Sequence, residues 1–290
     1  MPDTSPHSLD DFRSLVLERG RELYRELPWR DTRDPYAIWV SEVMLQQTQV
    51  SRVDGRWQRW LMRFPSVSAL AAADPADVLD EWQGLGYNRR ALAMRNAAVE
   101  LAARGAFPSD AAELCALPGI GPATAAGIRA FAFDLHAVYL ETNVRTVFLH
   151  ELFPDAEDVP DSALVPLVDE CCPADDADPA DDPRTWYYAL LDYGAWLKRT
   201  VPNPSRRSRG HVRQSRFEGS HRQKRAAAVR ALLDARQAGE GVGAVELAAI
   251  LSRAEKAAGR QGLSEADALA LLEELEREGF CRRAGEAWLA

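Results

Sequence analysis

Trp39-Val40-Ser41-Glu42-Val43-Met44-Leu45-Gln46-Gln47-Thr48 decides how the chain is read. Ile38, Val40, Val43, Met44 and Leu45 leave almost no polar face. The stretch therefore predicts a helix buried on most sides rather than a surface helix. Pro35 suits the first turn of that helix. Glu42 lies inside it, with no lysine or arginine within four residues on either side. An unpaired carboxylate in such surroundings is costly unless it takes up a proton, so burial raises its pKa. A carboxyl kept neutral near pH 7 can act as a general acid. The plainer reading is a helix glutamate whose carboxylate reaches solvent or an arginine.

Outward from this core, Leu27-Pro28-Trp29-Arg30 and Asp34-Pro35-Tyr36 lie upstream, Gln49-Val50 extend it, and Trp82-Gln83-Gly84-Leu85-Gly86-Tyr87 follows. A second string is Leu117-Pro118-Gly119-Ile120-Gly121-Pro122-Ala123-Thr124-Ala125. It reads as the end of one helix, a glycine turn, and a new helix with Pro122 at its first position. Gly119 and Gly121 would let backbone N–H groups approach a phosphate, and the new helix adds its dipole. An ordinary helix–helix turn is the plainer reading here too.

Taken together, these strings resemble the adenine-specific mismatch DNA glycosylases, the MutY-like branch of the helix-hairpin-helix/endonuclease III superfamily. The resemblance covers residues 1–200 and fails beyond them. It implies an all-α helix-hairpin-helix glycosylase fold of two helical subdomains, acting on a base flipped out of double-stranded DNA that carries a mismatch or lesion. It implies that Glu42 donates a proton to the purine. Val138-Tyr139-Leu140-Glu141-Thr142-Asn143-Val144 falls where relatives carry Asp-Gly-Asn-Val. Glu141 is thus the candidate carboxylate for the developing sugar cation, positioned by Asn143. The extra methylene shifts its charge by roughly an ångström, a displacement that can cost about a hundredfold in rate.

By the same resemblance Arg25, Leu27 and Trp29 match the base pocket, Asp192 falls where relatives carry a pocket glutamate, and Gln47 and Tyr87 match residues that wedge into the duplex. Gly119, Gly121, Ala123 and Thr124 match the phosphate-binding hairpin. Ala123 stands where bifunctional relatives carry a lysine, so a Schiff base and strand cleavage are not expected. The expected reaction is monofunctional hydrolysis releasing adenine opposite guanine or 8-oxoguanine. Two alternatives stay open: a glycosylase for a deaminated purine or T·G, and a non-catalytic lesion binder.

Composition sets outer bounds. The chain has 290 residues, 47% apolar, and a net charge of −9. Lysine occurs only at 198, 224 and 256, while arginine and aspartate abound. Such an acidic surface suits a high-salt cytoplasm, though a GC-rich genome would also favour arginine, and local rather than total charge decides DNA binding. No apolar run has membrane length and the first residues lack the parts of a signal peptide, so a cytoplasmic monomer acting with the chromosome is expected. Cys115, Cys171, Cys172 and Cys281 lack metal-ligand spacing and read as reduced structural thiols. Many relatives carry four iron–sulfur cysteines after the last core helix. Lys198 falls where the first would be, so neither metal nor cofactor is expected.

The segment from Lys198 to Arg225 instead holds ten lysines and arginines against one acid, Glu218. It reads as a basic linker or DNA-docking segment over 201–222, with Arg206, Arg207 and Arg209 as candidate phosphate contacts. The acidic run between Cys172 and Pro183 reads as a solvated loop. Residues 223–290 predict helices at Ala226–Ala238, Val245–Leu251 and Ala266–Phe280, then a hairpin over 279–288. That order suggests a winged-helix-like module, whose acidic third helix is a poor major-groove reader. A protein partner for it is an open expectation. The β-rich 8-oxoguanine-reading domain usual in relatives is not recognised.

Overall fold

A computed structural model describes residues 8–175, 181–211 and 216–290. The helices in chain order are α1 (Leu9–Glu22), α2 (Pro35–Leu45), α3 (Val50–Val53), α4 (Arg56–Arg63), α5 (Val67–Ala72), α6 (Pro75–Glu81), α7 (Arg89–Arg104) and α8 (Ala111–Cys115). They continue with α9 (Pro122–Phe133), α10 (Thr142–Glu151), α11 (Asp161–Cys171), α12 (Pro183–Thr200), α13 (His221–Gln237), α14 (Ala244–Ala257) and α15 (Glu265–Arg277). Strands β1 (Val242–Gly243), β2 (Arg282–Ala284) and β3 (Ala287–Leu289) form one small antiparallel sheet in the order β1-β3-β2.

Short polar side chains cap the helix starts. The Asp34 side chain accepts from the Tyr36 and Ala37 N–H groups with Pro35 behind it, and Ser66 and Asp74 cap α5 and α6. Asp54-Gly55 separates α3 from α4, because Gly55 takes φ +75° and starts α4 afresh.

The chain forms two interleaved units. One comprises the described residues of Met1–Gln46 and Phe107–Arg213; the other those of Gln47–Ala106 and Gln214–Ala290. The first 200 residues thus contribute to both.

In the first unit α2 is buried almost all round, as its composition dictates: Tyr36 to Ser41, Val43 and Met44 are all interior. It packs on α9, while α12 packs on α1 and α10. Phe12 meets Phe148 and Trp186 edge-on, and Phe131 stacks on Tyr188 at 4.5 Å. Residues 201–211 pack as part of this unit. Ser205 and Ser208 are buried, and a parallel bridge joins Val159 to Ser208.

In the second unit Trp60, Trp82 and Phe64 form an edge-to-face cluster. The C-terminal residues build three mutually packed helices, α13 to α15, and the β2–β3 hairpin expected from the sequence; the short β1 pairing with β3 was not foreseen. Ser264 and Asp267 form a capping box on α15. Parts of two sequence expectations, residues 176–180 of the acidic run and 212–215 of the basic segment, lie outside the described residues.

Candidate active site

Glu42 projects from α2 into a seat that α9 leaves open. Gly127 provides it: a Cβ there would lie 2.9 Å from the Glu42 Cδ and 3.1 Å from the Tyr139 ring. The Tyr139 hydroxyl donates to Glu42 Oε2 at 2.9 Å. Tyr139 is itself fixed, with its ring edge-on to Phe131 and Tyr187 and its N–H donating to the Tyr187 hydroxyl. Burial pushes the Glu42 carboxyl up to about 8; the Tyr139 hydrogen bond opposes the shift and the charge of Glu141 adds to it. Some of the Glu42 surface remains open to water although protein surrounds the carboxyl. A proton donor needs both conditions: a neutral form at pH 7 and a path to substrate.

Glu141 caps α10. Its Oε1 accepts from the N–H groups of Asn143 at 2.5 Å and Val144 at 3.1 Å. Its longer side chain is therefore folded back onto its own helix end, where the dipole favours negative charge. Asn143 holds Glu141 through its backbone N–H; its side-chain Oδ1 is buried. Burial raises the Glu141 pKa, opposed by Lys198 first and then by the backbone N–H donors. Lys198 lies on α12 one turn beyond Gly194, and a Cβ on Gly194 would meet the Asn143 carbonyl carbon at 2.7 Å. That close approach of α12 to the first turn of α10 brings the Lys198 charge to bear on Glu141. Burial lowers the Lys198 pKa and Glu141 pulls it back up.

Arg25 and Asp192 come together, but not as an open pocket wall. Asp192 Oδ1 accepts from Arg25 Nε at 2.5 Å and Arg30 Nη2 at 2.8 Å; Oδ2 accepts from Arg30 Nη1 at 2.8 Å and the Arg25 N–H at 3.1 Å. Every acceptor position of this buried carboxylate is used, so it supports the arginines and offers nothing to a base. Leu27 is half-buried and Trp29 is 4% exposed, both beside a short turn at Pro28–Arg30.

In the hairpin, Gly119 takes φ +76° and Gly121 precedes the uncapped N-terminus of α9, with Gly119, Gly121 and Ala123 exposed. The Thr124 hydroxyl accepts from Gln46 Nε2 at 2.9 Å inside the unit. Arg206 is exposed. Arg207 is a structural staple: its guanidinium donates to the carbonyls of Leu149, Phe153, Pro154 and Ala156 at the end of α10. Arg209 pairs with Asp158 at 2.9 Å.

In the second unit, Gln47 and Tyr87 are exposed and are two of the four non-glycine residues with positive φ among the described residues, at +53° and +50°. Such backbone costs about 1–3 kcal/mol and persists only when its surroundings impose it. Arg90 does so: its Nη2 donates to the Gly86 carbonyl at 2.9 Å and reaches Thr48 Oγ1 at 3.5 Å. Trp82 Nε1 also donates to Gly86, and Arg52 and Arg56 donate to the carbonyls of Gly84 and Gln83.

Residues 40–179 match the profile of the HhH-GPD superfamily base excision DNA repair proteins. That match spans just under half of the chain. Curated relatives named adenine DNA glycosylase include those of Mycolicibacterium smegmatis (39% identical; 59% of this chain and 58% of the relative), Mycobacterium tuberculosis (40%; 50% and 48%) and Mus musculus (38%; 47% and 28%). The chain thus spans about half the length of the curated bacterial relatives it matches. Among solved structures, a thermostable thymine-DNA glycosylase aligns with TM-score 0.59 at 21% identity, covering 68% of this chain and 90% of that one. A non-covalent endonuclease III–DNA complex aligns with TM-score 0.52 at 16% identity, covering 74% and 94%. These two likenesses speak for the HhH-GPD fold.

The iron–sulfur cluster that the sequence resemblance raises does not fit the placement of the cysteines present. Cys171 and Cys172 are buried at the end of α11, Cys115 is exposed, and Cys281 belongs to the other unit. Among the described residues no three metal-ligating side chains gather. Among the described residues no helix is long and apolar enough to cross a membrane.

Proposed function

We propose that the protein is a monofunctional DNA glycosylase that hydrolyses the N-glycosidic bond of adenine mispaired with guanine or 8-oxoguanine. One observation carries it: a carboxyl held neutral at pH 7 shares a unit with a carboxylate pinned at a helix N-terminus. Two acids with opposed environments suit bond cleavage that protonates the leaving base and stabilises a sugar cation. Glu42 donates to the purine ring nitrogen N7, and Glu141 faces the oxocarbenium charge. The names of the similar curated proteins support adenine as the base. Ala123 supplies no amine for an imine, so the product is an abasic site with the strand intact.

The test is single-turnover base release from duplexes carrying A·G, A·8-oxoguanine, A·C, hypoxanthine·T and T·G, from low to molar potassium chloride, with alkali revealing abasic sites. Adenine release opposite guanine or 8-oxoguanine is expected. Release from another duplex moves the substrate, and silence on all five with binding retained makes the protein a lesion binder.

Two variants probe the site. Gly127→Ala places a methyl where the Glu42 carboxyl sits and should lower the single-turnover rate about a hundredfold, the effect of an ångström-scale displacement. The melting temperature should move little, because the carboxyl can yield towards the open side. An unchanged rate would show that the seat is not needed. Lys198→Met removes the cation that favours ionised Glu141. Activity needs that carboxylate, so the acidic limb of the pH–rate profile should move to higher pH, and Lys198→Arg should restore it. A limb that stays put would remove Lys198 from the site.

A further inference from the structure

Tyr87 stands at the tip of the loop between α6 and α7, 39% exposed. Residues from α3, α4 and α7 hold the backbone of that loop, as described above. Its side chain is held by a residue far along the chain. Arg222, in the first turn of α13, donates from Nη1 to the Tyr87 hydroxyl at 2.8 Å. The guanidinium carbons of Arg90 and Arg222 lie 5.4 and 5.8 Å from the Tyr87 ring centroid. The aromatic ring is therefore held by two cations and one directed hydrogen bond while part of it remains open.

Other contacts anchor the helix that carries Arg222. Glu278, at the end of α15, accepts from Arg89 Nε at 2.6 Å, two residues after Tyr87, and from Arg225 on α13. These hydrogen bonds hold the Glu278 carboxyl down at about 2. At the far end of α13, Arg236 donates to Asp77 on α6 at 2.9 Å. Both ends of α13 are thus tied to the helices that flank the Tyr87 loop, which fixes where Arg222 can point.

An exposed aromatic ring beside guanidinium groups is a stacking platform for a nucleic-acid base. Opening a duplex asks such a ring to hold its position against the stacking it displaces, at a cost of a few kcal/mol per step. We propose that Arg222 is a positioning residue that locks the Tyr87 ring, so that the C-terminal winged-helix-like module serves base extrusion as a brace on the duplex-entering loop. The module does this without reading sequence, which agrees with the acidic character of α15. The proposal rests on the reading of the protein as a DNA glycosylase.

The test uses the full chain with Arg222→Ala, Arg222→Lys, Tyr87→Phe and the double variant Tyr87→Phe/Arg222→Ala. A 2-aminopurine next to the mispair reports unstacking without chemistry, and base release is followed on the same duplex. Melting temperature and affinity for an undamaged duplex serve as controls. Arg222→Ala should lower the extrusion equilibrium roughly tenfold, the size of one charge-assisted hydrogen bond, with both controls unchanged. Lys should restore part of it. Tyr87→Phe should shrink the Arg222→Ala effect to what the ring contact alone supplies, since the hydroxyl hydrogen bond is already absent.

Full unstacking by Arg222→Ala would overturn the proposal, as would effects that simply add in the double variant. So would an equal loss of affinity for every duplex with a salt slope lowered by about one, the mark of a phosphate contact. Should the wild type unstack the duplex without releasing a base, and Arg222→Ala lose that unstacking, the brace stands and the catalytic reading falls. Should the wild type neither unstack nor release, both fall.

Discussion

Glu42→Gln should reduce adenine release by roughly 10²–10⁴-fold, the usual contribution of a positioned general acid, while leaving duplex affinity within about twofold. Glutamine fills the same seat against Gly127 and can still accept from the Tyr139 hydroxyl, so the change removes a proton and little else. In the wild type the rate should fall as pH rises through about 8, where Glu42 loses that proton. The same shift makes a stability statement with a definite sign. The folded carboxyl binds its proton more tightly than the unfolded one, so its contribution is fully present below the ordinary value of 4.5 and is lost as pH rises to about 8. Wild type should therefore melt lower than Glu42→Gln at pH 9, and the gap should close near pH 5. Thermal melts of both proteins across that range, set beside single-turnover rates, check the two halves together. An inactive variant with no such crossover would mean that Glu42 is ionised at neutral pH and stabilises charge instead of donating a proton.

The Glu42 helix was legible because an apolar run on every side of one acid has no face to give to water, and α2 is buried as that run requires. The hairpin was legible for a similar reason, since two glycines and a proline at fixed spacing specify a turn and a helix start. What sequence reasoning missed are residues whose role is made by distant partners. Tyr139 reads as one more apolar residue in Val138-Tyr139-Leu140, yet it is separated by 97 positions from the carboxyl it bonds. Gly127 reads as a weak point inside a helix, and nothing local says that it seats an acid. The one available hint was that a glycine in a helix interior usually has a packing reason. Arg207 was expected to face phosphate because it lies in a basic run. Its fork instead satisfies carbonyls at a helix end, a use that composition cannot distinguish from DNA contact. The pairing of residues 47–106 with 214–290 in one unit was invisible too, because periodicity reports faces and not partners.

Asp192→Asn should cost about 3–5 kcal/mol of stability, the usual loss when one member of a buried charge cluster is neutralised. The Asp192 side chain is 0% exposed and that of Arg30 is 1% exposed, while Arg25 is 31% exposed. The Arg30 fork meets both carboxylate oxygens and also donates to the Arg25 carbonyl at 3.0 Å. Its face lies 4.3 Å from the Tyr188 ring centroid, so the guanidinium has no route to water. Asparagine would remove the negative charge and turn an amide N–H₂ towards a group that only donates. Such a loss is a large part of the 5–15 kcal/mol typical of a folded domain. Arg25→Ala should cost much less, because its partly exposed head is screened. Urea unfolding of the two variants measures the contrast, and an Asp192→Asn protein within about 1 kcal/mol of wild type would refute the cluster's structural role. The same variant decides what Asp192 does in the reaction. A carboxylate whose four acceptor positions are filled by arginines acts on the base only by holding Arg25 and Arg30 in place. At a temperature where Asp192→Asn is still folded, base release should then fall no more than it does in Arg25→Ala. A loss far beyond Arg25→Ala in a fully folded protein would mean that Asp192 turns out of the cluster to meet the base.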